Sequence, residues 1–448
     1  MIDGHEIRPN RTTVWSRRSL LLAAGAALAA AQIGCGRQQQ VPTFPGDDML
    51  TAADVSRVEP SADAPIGPVV AGMTDAAHRL LRADATAANW IASPLSLACA
   101  FAMARVGARG STAEQLDEFF GFPARGRDDA FNAITARLVT GRVPSRPVDS
   151  AAVSSRKPGD PPASPTVSLG NALFLQDGFH VGAAFLDTLA ADYGTGVHLV
   201  NFTTPDATHA IDAWVSAQTA GRITKLFDSL DPATELVLAN AVFFQGDWVH
   251  AFDPTMTQPA AFTSADRSTT SVPMMHQAGT FRYGTVRGAQ VLELPYAKGP
   301  YAMWVMLPAP GTSPDDMLTP AAMAAFAASL ETTRVDVYLP RFDFATDINL
   351  AARLRSLGVT APFATSADFS GIAAGLYIDQ AIHRANVTVG EFGTVAAAAT
   401  AISMIMSSGL APGAMPVFRA DRPFAFAVVG DDHHVPLFVG RVTAPSVA

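Results

Sequence analysis

One stretch constrains this chain more than any other: Gly390-Glu391-Phe392-Gly393-Thr394-Val395-Ala396-Ala397-Ala398-Ala399-Thr400. It follows the β-branched run Val387-Thr388-Val389 and leads into a small, apolar tail from Ala401 to Gly409. The alanines alone suit a helix. A strand-like run before them, with Gly409, Pro412 and Gly413 after, makes a loop equally acceptable. Successive small side chains can also enter a packed sheet without steric objection on either face. A segment compatible with two states is what a conformational switch needs.

The chain has 448 residues, 49% of them hydrophobic, and a formal charge of -9. That is enough for one large domain of roughly 350 to 400 residues or for two smaller ones. The modest acidity, with no cluster of five Lys or Arg residues in the body, argues against nucleic acid as a partner. At the N-terminus, Arg8, Arg11, Arg17 and Arg18 precede the apolar run Leu20 to Ala31, the order of an export signal over residues 1–35. Ser16-Arg17-Arg18-Ser19-Leu20 resembles a twin-arginine signal, a bacterial address. Gln32-Ile33-Gly34-Cys35 resembles a lipoprotein processing site, although Gln32 stands where a leucine is usual. The expectation is an exported protein: periplasmic, anchored by lipid through Cys35, or extracellular. The apolar run is short for a true membrane anchor. Cys35 and Cys99 are the only cysteines, so processing at Cys35 leaves Cys99 alone, as a buried inert thiol.

Residues 36–70 read as a flexible linker and 71–448 as the folded domain, with a proline-scattered loop from Gly141 to Pro165. Helical patterns run over Val70–Leu81, Pro94–Val106, Ser111–Phe120, Phe179–Tyr193, His209–Thr219 and Leu350–Leu357, and Ser111-Thr112-Ala113-Glu114 reads as a capping box. Strand patterns run over Val167–Leu175, Leu236–Phe244, Gln290–Leu294, Ala302–Leu307, Thr333–Leu339, Phe424–Val429 and Leu437–Val442. Helices cluster early and strands late without βαβ alternation, which favours α+β.

The sequence holds no Gly-x-Ser-x-Gly elbow, His-Glu-x-x-His pair, Walker loop or dinucleotide-binding glycine fingerprint. His433-His434 reads as a solvated turn rather than a metal site, and His383 as a core histidine. No catalytic residue, cofactor or metal is expected.

Seven blocks, in order, resemble the serpin family over roughly residues 71–443. They are Asn89-Trp90-Ile91-Ala92-Ser93-Pro94-Leu95-Ser96-Leu97; Leu236 to Trp248 with Phe252-Asp253-Pro254; Leu292-Glu293-Leu294-Pro295-Tyr296; Leu339-Pro340-Arg341-Phe342; Asp368-Phe369-Ser370-Gly371-Ile372; Ala420-Asp421-Arg422-Pro423-Phe424; and Phe438-Val439-Gly440-Arg441-Val442. The resemblance implies a fold with three β-sheets, eight or nine helices and an exposed reactive loop over about 391–417. It also implies a suicide-substrate inhibitor, in which the cleaved loop inserts into the central sheet and carries the acylated protease with it. That insertion is the established behaviour of the family and is taken as such.

What the resemblance assigns to residues follows. The hinge is Glu391, Gly393, Thr394, Val395, Ala396, Ala397, Ala398 and Ala399, with Phe392 and Val395 standing where the family commonly carries polar or acidic residues. A polar cluster beneath the sheet comprises Ser93, Ser96, Asn240 and His383, and Trp248 lies where the loop first enters. The family's spacing from Glu391 puts Ser407 before the scissile bond; Met406 suits elastase- or chymotrypsin-like bait, and Met404 and Ser408 are neighbouring alternatives. No Arg or Lys lies between Glu391 and Ala414, so elastase-, subtilisin- or chymotrypsin-like serine proteases are the expected partners, with cysteine proteases also open. The molecule is expected to be a monomer. A serpin-fold binding or folding-assistance protein without inhibition is the alternative.

Overall fold

The computed structural model describes residues 48–85, 87–141, 162–394 and 415–446. The helices gather where the apolar periodicity lies. The first, α1 (Ile66–Ala83), buries Val69, Met73, Ala76, Ala77 and Leu80 along one stripe. The next, α2 (Pro94–Gly107), is apolar all round and accordingly sits inside the molecule, with Ser93 as its N-cap accepting from the Ser96 N–H at 3.1 Å.

Helix α3 (Gly110–Phe120) starts one residue before the expected capping box, which does not form. With Ser111 inside the first turn, no side chain caps the helix, and the Thr112 hydroxyl instead accepts from the Asp368 N–H at 2.9 Å. Then come α4 (Arg127–Leu138), α5 (Ala183–Thr188) with a π-helical continuation at Leu189–Tyr193, α6 (Asp206–Gln218), α7 (Pro320–Ser329) and α8 (Leu350–Ser356). The described residues thus hold eight α-helices.

The strands make two connected assemblies. A seven-stranded sheet has the order β1 (Asp48–Leu50), β4 (Val197–Val200), β3 (Thr166–Gln176), β5 (Leu236–Asp247), β13 (Gly393–Thr394), β12 (Gln380–Gly390), β11 (Phe342–Asn349). A nine-stranded assembly runs β14 (Val417–Arg419), β10 (Glu331–Pro340), β7 (Thr269–Val286), β8 (Ala289–Pro295), β9 (Tyr301–Leu307), β15 (Phe424–Gly430), β16 (Val435–Val442), β2 (Trp90–Ala92), with β6 (Gln258–Thr263) paired to β7. The α+β expectation holds. The late strands β15 and β16 are buried along their whole length, so they read as continuous apolar runs rather than alternations.

The segment 48–65, expected to belong to a linker, lies on the fold. Its β1 pairs with β4, and its Arg57 donates to Asn132 Oδ1 at 2.7 Å and to Thr135 Oγ1 at 2.5 Å on α4. The composition of this segment hid the docking because a few backbone and guanidinium contacts, not an apolar stripe, hold it down. Cys99 is buried, and burial pushes its thiol up to about 12, so it is inert.

Candidate functional site: the seam of the central sheet

β5 and β12 are the two long strands at the middle of the seven-stranded sheet, and they meet only along part of their length. Gln380 to Arg384 pair in parallel with Val237 to Ala241. Beyond that, the strands part, and Gly393–Thr394 sits between them, antiparallel to both: Thr394 opposite Val389 and Gly246, Gly393 opposite Gly390 and Asp247. Between the paired end and this two-residue wedge, residues 385–388 and 242–245 face a seam with no strand between them among the described residues.

The polar cluster lies under the paired end. His383 and Asn240 are register partners and both fully buried. The Ser93 N–H donates to His383 Nε2 at 3.0 Å, which leaves the ring proton on Nδ1 to donate to Asn240 Oδ1. Burial lowers the imidazole pKa to about 3, so the ring is neutral. The buried Asn240 Nδ2 has no partner among the described residues. Ser93 Oγ accepts from the Ser96 N–H, which brings all four expected residues together. A fifth, Asn171, lies opposite Asn240 on β3; with its amide nitrogen toward Ser96 it donates to Ser96 Oγ at 3.0 Å and Gly170 O at 3.1 Å. The strand pattern around Asn171 was legible, but nothing in the sequence distinguished its amide from a solvent-facing one.

The wedge end is held differently. Three donors from the strand end and turn at 248–252 take three consecutive carbonyls: Trp248 Nε1 to Gly390 O (3.0 Å), the Phe252 N–H to Glu391 O (2.8 Å) and the Trp248 N–H to Phe392 O (2.8 Å). The Trp248 ring stacks on Tyr296 at 4.4 Å, and the Tyr296 hydroxyl meets Thr394 Oγ1 at 2.5 Å. Glu391 is buried to 5% exposure, and its Oε1 accepts from Arg341 Nε (2.7 Å), from Arg341 Nη2 and from the Thr257 hydroxyl (2.6 Å). A buried carboxylate is tolerable only with such partners. Phe392 is half-buried between them.

Gly393 allows the close approach: a Cβ there would fall 2.0 Å from Gly246 O. Tyr296, Arg341 and Thr257 were not assigned roles from the sequence, since their partners lie 50 or more residues away along the chain. Val395, Ala396, Ala397, Ala398, Ala399, the reactive-bond candidates Met404, Met406, Ser407 and Ser408, and Cys35 all lie outside the described residues.

A two-residue wedge thus stands in a parted central sheet, and the sequence that follows it is rich in alanine. Residues 72–445 match the Serpin (serine protease inhibitor) family. The chain belongs to the serpin family. This serpin is 31% identical to human neuroserpin over 386 residues, covering 82% of this chain and 89% of that one. It is 30% identical to Iripin-8 of Ixodes ricinus over 368 residues, covering 80% and 88%. Its fold matches the crystal structure of the thermophilic serpin tengpin in the native state, with a TM-score of 0.73 at 23% identity over 88% of this chain and 97% of that one. As a serpin the chain is a protease inhibitor, not an enzyme.

Proposed function

We propose that this serpin traps serine proteases by completing its own central sheet with the cleaved reactive loop. The observation that carries the reading is the register of the wedge. Each step past Thr394 advances the loop one residue and descends one residue on both neighbours. Val395 then falls opposite Thr388 and Gln245, Ala399 opposite Arg384 and Ala241, and Thr400 opposite His383 and Asn240. Side chains alternate, so Thr394, Ala396, Ala398 and Thr400 share the inward face with His383. The four alanines pass through the seam without bulk, and the Thr400 hydroxyl arrives where Asn240 Nδ2 lacks an acceptor. To proceed, the strand must replace the direct β5–β12 pairing with two ladders of its own, a net gain in satisfied backbone groups and buried surface.

The bait is Met406 or Ser407, with Met404 and Ser408 as the neighbouring bonds. Without Arg or Lys in the loop, the target class is elastase-, subtilisin- or chymotrypsin-like. The protein acts after export, directed by residues 1–35, either free or attached through a lipid on Cys35. No helix among the described residues is long and apolar enough to cross a membrane. Incubation with a panel of these proteases and trypsin, followed by a denaturing gel, tests the reading. The expected result is a covalent adduct near the summed masses with the elastase-type enzymes. Fragments alone with every member, or an adduct formed only with trypsin, would overturn it.

A further inference from the structure

Away from the seam, a cleft of about 1040 Å³ opens where the end of α1, the 264–268 turn, the 308–314 loop and the last residues of β16 converge. Ligand pockets in proteins span about 300–1,000 Å³. Alanine and proline side chains of the 308–314 loop make much of its wall. Into this surface come four arginines from four parts of the chain, Arg82, Arg267, Arg422 and Arg441, against two carboxylates, Asp266 and Asp315. The whole chain carries a charge of -9, so the local excess of positive charge runs against the general field.

Each carboxylate has one oxygen engaged: Asp315 Oδ2 accepts from Arg441 Nη1 at 2.7 Å, and Asp266 Oδ1 accepts from the Ser268 N–H at 2.9 Å and its hydroxyl at 2.6 Å. Asp315 Oδ1 is buried without a partner among the described residues. The three outer guanidiniums are less engaged. Arg82 and Arg267 make no hydrogen bond or ion pair through their side chains among the described residues, and Arg422 has only Asp421 at 3.5 Å and Pro308 O at 3.4 Å. In the floor, Arg441 is buried to 4% exposure, with two backbone carbonyls and Asp315 as partners, and its Nε–H has no acceptor among the described residues. That nitrogen has almost no accessible surface, so the positive charge a ligand would meet in the cleft comes from Arg82, Arg267 and Arg422.

The geometry points to a binding site for an amphipathic organic anion, a carboxylate or sulfonate on an apolar body, in this cleft. Arg82, Arg267 and Arg422 meet the charged head at the mouth, and the alanine and proline wall takes the body. Arg441 closes the floor, its charge already held by Asp315. The site is independent of the reactive loop and of the inhibitory reading.

Two fluorescent probes that share their rings and differ by a sulfonate test it on the full chain: 8-anilino-1-naphthalenesulfonate and neutral N-phenyl-1-naphthylamine. The expected result is saturable binding of the sulfonate at one site per chain, at least tenfold tighter than the neutral probe. The double variant Arg82→Ala/Arg422→Ala should weaken the sulfonate at least tenfold with its thermal midpoint unchanged. Arg441 is left alone because its loss would strand buried Asp315. Equal affinity for the two probes in the unmodified chain, a comparison that needs no variant, would overturn the proposal. So would unchanged sulfonate binding in a folded double variant.

Discussion

The two ends of the β5–β12 seam are built on opposite principles. At the lower end the strands themselves are joined, five residues against five, over a neutral, buried cluster of His383, Asn240, Ser93 and Ser96. At the upper end the strands are parted, and contacts from outside the sheet hold the turn Gly390–Thr394, whose last two residues lie between the strands. Backbone pairing is regular and cooperative. The upper clamp joins two backbone bonds to individual side-chain contacts from Trp248, Thr257, Tyr296 and Arg341, each of the latter removable by a single substitution. The difference gives the seam a direction: lengthening starts at Thr394 and ends where the lower pairing must be exchanged for a new ladder.

The strongest way to break that comparison is to cut the loop. After cleavage near Met406, residues 395 to 404 can extend the wedge down to the start of β5. Some ten new ladder bonds at about 1 kcal/mol each amount to about 10 kcal/mol, and in a domain this large that is on the order of 20 °C in thermal midpoint. Scanning calorimetry before and after limited cleavage measures it. An unchanged midpoint would mean that the parted strands are not a vacancy awaiting a strand.

Thr394→Arg comes next. Thr394 is 3% exposed and bonded to Tyr296, so an arginine there cannot stay in the wedge without a buried, unpaired charge. Cleavage by the target should continue while the covalent adduct disappears, turning an inhibitor into a substrate. Retained stoichiometric inhibition would show that trapping does not pass through this position.

Arg341→Ala sharpens the comparison at the upper clamp alone. It leaves buried Glu391 with the Thr257 hydroxyl as its one remaining side-chain donor among the described residues. Because Arg341 is 40% exposed, solvent softens the loss, and about 2 kcal/mol of destabilisation is expected in denaturant unfolding. Glu391→Gln in the same background should recover part of it, since a neutral amide needs no counter-charge.

Much of this seam was legible in the residues. The small-residue hinge, the β-branched strand before it and the apolar run of β5 are local patterns, and local patterns survive in one dimension. The family resemblance brought Ser93, Ser96, Asn240 and His383 forward as a group, and the structure brings them within hydrogen-bonding reach of one another. What could not be read is pairing across long separations. Glu391 and Arg341 lie 50 residues apart, Tyr296 and Thr394 98 apart, and the capping signal at Ser111 lost to a helix that began a residue earlier. The docking of 48–65 escaped for the same reason: Arg57 looks like any surface arginine until Asn132 and Thr135 are placed beside it.

The lower end carries the smallest and most specific prediction, a pH dependence. His383 is neutral in the folded chain because burial lowers its pKa from 6.5 to about 3, whereas in the unfolded chain it titrates near the ordinary value. Below the unfolded pKa the unfolded state binds a proton that the folded state refuses, so stability falls as pH drops from about 6.5 toward 3. One such group contributes a slope of at most about 1.4 kcal/mol per pH unit. His383→Gln retains a donor and an acceptor but has no proton to take up. It should therefore flatten this part of the profile while costing some stability at pH 8. At the upper clamp, Tyr296→Phe loses the bond to Thr394 without removing a charge or a group that titrates between pH 5 and 8, so it should shift the whole profile down without changing its slope. Parallel denaturation curves of the two variants between pH 5 and 8 separate the ends of the seam. If both variants kept the same slope, His383 would not be the buried neutral group on which the lower end depends.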